Sequence, residues 1–72
     1  MSERITLESE VMLHRVRVAE LEESLRAIED SLKQSGIHPA KLLREASLLR
    51  LEMQGREFAV EIGSARLKML RD

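Results

Sequence analysis

Residues 42–70 read LLREASLLRLEMQGREFAVEIGSARLKML, and this stretch carries two apolar stripes. One runs Leu42, Ala46, Leu49, Met53, Arg56, Val60, Gly63, Leu67, Leu70, in alternating steps of four and three. The other runs Leu48, Leu51, Gly55, Phe58, Ile62, Ala65, Met69 at the same spacing. Residues three and four apart stack on one face of an α-helix, so each stripe describes a helix face. A shift of two residues is about 200° at 3.6 residues per turn, which sets the faces on nearly opposite sides. A helix apolar on two sides is one that neighbours cover twice. The first stripe, with Arg56 in reach of carboxylates on a second helix, is assigned to contact within the chain. The second, with Phe58 as the chain's only aromatic, is assigned to contact with a partner.

The second helix lies upstream. Leu7, Val11, His14, Val18, Leu21, Leu25, Ile28 and Leu32 repeat at four and three, a heptad pattern sustained over more than three repeats. Glu8, Glu10, Arg15, Arg17, Glu22 and Glu29 flank it, as charged residues flank a coiled-coil seam. Ile5, Met12, Leu13, Val16 and Ala19 lie off the stripe, so the first half of this helix is also apolar on a second side. Ser2 is placed to cap the helix, and Glu3 suits the positive end of its dipole.

Between the helices, Gly36 suits the left-handed position past a helix end, with Ile37 placed to contact Leu32. Pro39 fits the first turn of the next helix and holds His38 extended. The boundaries read as a helix over about residues 3–34, a loop over about 35–38 and a helix over about 39–71. Helices of equal length joined by a short loop make an antiparallel two-helix hairpin, so the fold class is all-α and residues 1–72 form one unit. Gly55, Ala59 and Gly63 follow one another at intervals of four. A helical glycine costs about 1 kcal/mol relative to alanine, so the row points to close approach of another helix.

A chain of 72 residues has little core, and small domains compensate with disulfides, metals or assembly. Cysteine is absent, which removes disulfides, and two histidines without cysteine leave no structural zinc site. Assembly is the remaining route, and the hairpin is expected to self-associate into a helical bundle, most simply of four helices. Residues 1–35 carry eight acidic and five basic side chains, and residues 36–72 carry five acidic and seven basic, a mild complementarity that favours the helices lying side by side.

No catalytic motif is present: there is no glycine-rich phosphate loop, no nucleophile motif and no HExxH. The sequence therefore reads as a non-enzyme and indicates no cofactor. Glu10 and His14 are spaced Glu-x-x-x-His, not the Glu-x-x-His of di-iron bundles. His14 reads instead as a polar seam residue that fixes register or partner choice. The basic residues of 41–71 alternate with Glu45, Glu52, Glu57 and Glu61, and the net charge of −1 gives nucleic acid little to bind. A membrane-surface helix wants one apolar face opposite a basic one, and no apolar run is long enough to span a bilayer. Residues 1–4, MSER, lack the order of a signal peptide, so a soluble cytoplasmic chain is expected.

These residues point to a protein–protein interaction module: an adaptor, assembly factor or small chaperone, working through Leu48, Leu51, Gly55, Phe58, Ile62, Ala65, Met69 and His14. Its partner is a second copy (a dimer or higher oligomer), another helical protein, or both. Around Gly36-Ile37-His38-Pro39 and the following Ala46 and Leu49, the plan resembles the helical-hairpin co-chaperones of type III secretion needle subunits. That resemblance covers a loop and a periodicity, and implies a helix of a different protein as partner. A further alternative is an RNA-binding hairpin dimer, which shares the architecture but wants a basic face where the first helix here is acidic.

Overall fold

The periodicities fold as their spacing dictates. In the computed structural model, which describes residues 2–34 and 39–70, the chain forms two α-helices. Helix α1 spans Glu3–Lys33 and α2 spans Pro39–Met69, 31 residues each. They lie antiparallel as a rod of 57 × 15 × 14 Å. The all-α hairpin expected from the heptads is the observed fold, and each helix ends within two residues of its expected boundary. Gly36, Ile37 and His38, on which the expected loop geometry rests, lie outside the described residues.

Ser2 occupies the N-cap position of α1 with extended backbone, but its side chain makes no capping bond. Its carbonyl instead accepts from the Thr6 amide at 3.2 Å, the first rung of the helix. At the other end Gln34 turns extended, and its amide closes on the Ser31 carbonyl. Helix α2 closes on the Leu70 amide, which donates to Arg66 at 3.2 Å and Leu67 at 3.3 Å.

The seam between the helices is the one both heptads describe. Leu7, Val11, Leu21, Leu25 and Ala46 are the buried apolar side chains among the described residues, and Leu21 is the largest of those fully enclosed. Gly63 is buried with them, and the remaining seam positions, from His14 and Val18 on α1 to Leu49, Met53, Val60 and Leu67 on α2, are half-buried. Fully burying a leucine or valine contributes about 1.5–3 kcal/mol, so one seam of this depth is a thin core for two long helices.

Gly63 is buried in the seam, where α1 approaches its Cα closely. A Cβ built there would stand 2.5 Å from Cγ2 of Val11, well inside van der Waals contact. Gly55 does something else: a Cβ there meets nothing within 4 Å. The two glycines thus have separate explanations. Each step of four advances about 40° around the helix, so a row eight residues long has slid about 80° from the outer stripe into the seam.

The open end of the hairpin is tied by polar contacts. The Arg4 guanidinium donates to the Leu70 carbonyl at 3.4 Å, and Arg66 stands 3.9 Å from Glu3. Arg17 binds Glu52 across the middle, fixing the same antiparallel register. Among the described residues, no helix is long and apolar enough to cross a membrane.

Candidate protein interface

With the seam covered, the second stripe of α2 is left on the outside. Leu48, Leu51, Phe58 and Met69 are 63, 67, 62 and 80 % exposed, Ile62 is the least open of the large ones, and Gly55 and Ala65 are exposed beside them. From Leu48 to Met69 the stripe runs about 32 Å along the helix at 1.5 Å per residue. All seven residues assigned to it share this face. Leu43 is exposed as well, one position beside the seam residue Leu42, and belongs to neither stripe.

Helix α1 carries its own outer patch. Ile5, Met12, Leu13 and Val16 are more than half exposed, and Ile5, Met12 and Leu13 line a shallow pocket of about 470 Å³ with Glu8 and Ser9. Each helix is therefore covered on the side facing its neighbour and open on the other.

His14 is placed differently from the other interface candidates. It sits half-buried in the seam, with Nη1 of Arg56 3.1 Å from its Nδ1. A guanidinium can only donate, so Nδ1 is the acceptor and the ring proton of the neutral form is on Nε2. The ring also lines a groove of about 280 Å³, to which α2 contributes Gly55, Phe58, Ala59 and Ile62. His14 is thus beside the outer stripe without being part of it. Within that groove, Glu10 stands on the α1 wall.

The place of Arg56 in the seam stripe calls for a carboxylate from the first helix or from a partner. The carboxylate Arg56 meets is Glu52, one turn earlier on its own helix, with Nε to Oε2 at 3.6 Å, and α1 supplies the imidazole. The reason is register: His14 lies opposite Arg56 across the seam, and the Glu52 carboxylate is turned toward α1 by Arg17. Arg17 holds Glu52 in a two-pronged pair, Nε to Oε2 at 2.8 Å and Nη2 to Oε1 at 3.2 Å. The hydrogen bond from Arg17 is the main cause that keeps the Glu52 carboxyl below its usual range, with the charges of Arg17 and Arg56 adding to it and partial desolvation opposing. The same bond raises Arg17 further above its ordinary value.

This chain of Arg17, Glu52, Arg56 and His14 is a polar brace across an apolar seam. It holds no nucleophile beside a base and no open coordination sphere. Among the described residues, no three His, Asp or Glu side chains gather closely enough to hold a metal ion. What the surface offers is apolar contact area beside a glycine notch. No protein-family model, curated protein or solved structure matches the chain.

Proposed function

We propose that this chain is a non-catalytic protein–protein interaction module, in the manner of an adaptor, assembly factor or small chaperone, and that its working surface is the outer stripe of α2. The supporting observation is the division of one helix into two apolar faces. The seam stripe is buried or half-buried throughout, while Leu48, Leu51, Gly55, Phe58, Ile62, Ala65 and Met69 are all exposed. Each large apolar side chain on that stripe contributes about 1.5–3 kcal/mol when a partner removes it from water. A thin hairpin core makes such coverage part of the chain's own stability, by coupling folding to binding.

The open patch on α1 favours an adaptor over a simple cap, because it leaves a second surface for a different helical protein while α2 is occupied. Helix-in-groove docking, in which an amphipathic helix lays its apolar face along another, is the mode such surfaces use.

Light scattering and co-purification of the tagged wild-type chain and of Phe58→Asp test the reading together. The wild type is expected to associate with itself or hold a stoichiometric second protein, and Phe58→Asp to lose that association. If Phe58→Asp alters neither, the outer stripe is not the working surface and the reading fails.

A further inference from the structure

We infer that the outer stripe of α2 is covered by the same stripe of a second copy, running antiparallel, with Phe58 of each copy seated over Gly55 of the other. This rests on the interaction role proposed above and names its occupant. The first observation is the notch. Nothing lies within 4 Å of the Cβ position of Gly55, and one turn away stands the chain's only aromatic, 62 % exposed. A knob and a hole adjacent on one face are self-complementary under a two-fold axis, the symmetry of most homodimers.

The register follows from packing the stripe against itself. When Phe58 faces Gly55, Leu51 faces Ile62 and Leu48 faces Ala65, so small residues meet large ones in two of these three layers, and Met69 falls opposite Arg44 at either end. Shifting by one heptad sets Gly55 against Ala65, two small residues that leave a void. A parallel pair sets Gly55 against Gly55, with the same fault. Close packing makes such voids costly, so size disfavours both of these alternatives.

Charge selects it independently. In the favoured register the flanking positions bring Glu45 opposite Arg66, Gln54 opposite Glu61 and Ser47 opposite Lys68. Glu45 is exposed, and among the described residues the Arg66 guanidinium is held by a long 3.9 Å contact with Glu3. No like charges meet in these three pairs. One heptad further along, Glu61 falls opposite Glu61 on the axis. Like-charge juxtaposition of this kind disfavours a wrong pairing.

Because the chain has no cysteine, single-cysteine variants report the register directly. Mixing Gln54→Cys with Glu61→Cys and adding a short thiol-reactive cross-linker is expected to give the mixed dimer. Self-linking of Glu61→Cys in place of it would overturn the register. Gly55→Leu fills the notch and is expected to weaken self-association in sedimentation by at least about tenfold, or 1.4 kcal/mol. Adding Phe58→Ala to Gly55→Leu exchanges knob for hole and is expected to restore association. Unchanged self-association in Gly55→Leu would overturn the proposal. So would a wild-type chain that stays monomeric through the micromolar range yet holds another protein through Phe58, a result that leaves the interaction role standing.

Discussion

Gly63→Ala is expected to lower the melting temperature, although it replaces a poor helix former by the best one. On propensity alone the change contributes about 1 kcal/mol in favour of the helix. The added methyl, however, would stand 2.5 Å from Cγ2 of Val11, where carbon atoms rest at about 3.5–4.0 Å. Val11 cannot swing aside. It is 5 % exposed, wedged in the seam, and a β-branched residue in a helix keeps one χ1 rotamer about 90 % of the time. The helices must then part by about 1 Å, and overpacking of this kind costs about 1–3 kcal/mol. The balance is a net loss of about 1 kcal/mol, or about 4–8 °C in melting temperature for a domain of this size. Val11→Ala removes Cγ2, so on that background Gly63→Ala should stabilise by about 1 kcal/mol. Circular-dichroism melts of the four chains, all at one protein concentration, give the coupling energy directly. If Gly63→Ala raises the melting temperature on both backgrounds, the close approach at Gly63 is not there.

The remaining expectations concern the seam and its brace. Leu21→Ala, at the largest fully buried side chain, should cost about 2–5 kcal/mol in thermal melts, and a change within experimental error would mean the seam is not the core. Glu52 titrates below its usual range when folded, so its contribution is present above the unfolded carboxyl value of about 4.3 and is lost as pH falls through the lower folded value. Thermal melts across that interval should show this loss in the wild type and less of it in Glu52→Gln; equal slopes would remove the Arg17 pair as its source. His14→Leu replaces the one imidazole in the seam of α1 by an apolar side chain and should raise the melting temperature. A fall would show that the bond from Arg56 outweighs apolar contact there.

Both helices, their antiparallel pairing and the division of α2 into an inner and an outer face were legible in the residue spacing. Heptads report which residues share a face, and a face is most of what a hairpin needs. What spacing does not carry is the reach of side chains. The place of Arg56 calls for a carboxylate from the other helix or from a partner, but long flexible groups settle on whichever group the register brings near, and Glu52 one turn away was nearer. The row Gly55, Ala59, Gly63 looked like a single close-approach device. The helical drift of that row parts it, leaving Gly63 against Val11 and Gly55 in the open. Likewise Ser2 stands at the cap position without a side-chain bond, since residue type favours a cap but does not orient its hydroxyl. The groove that places His14 beside the outer stripe joins residues about 40 to 60 positions apart in sequence, and only the antiparallel pairing brings them together.

Two substitutions on opposite faces of α2 test most directly that its outer stripe is the interaction surface. Phe58→Ala removes the aromatic anchor of the exposed face, while Leu49→Ala trims a half-buried residue of the seam. In sedimentation equilibrium, Phe58→Ala is expected to weaken self-association by at least about thirtyfold, as loss of a hot spot worth about 2 kcal/mol requires. Leu49→Ala is expected to stay associated and only melt earlier. A Leu49→Ala chain that dissociates, beside a Phe58→Ala chain that remains assembled, would contradict the assignment of the two faces.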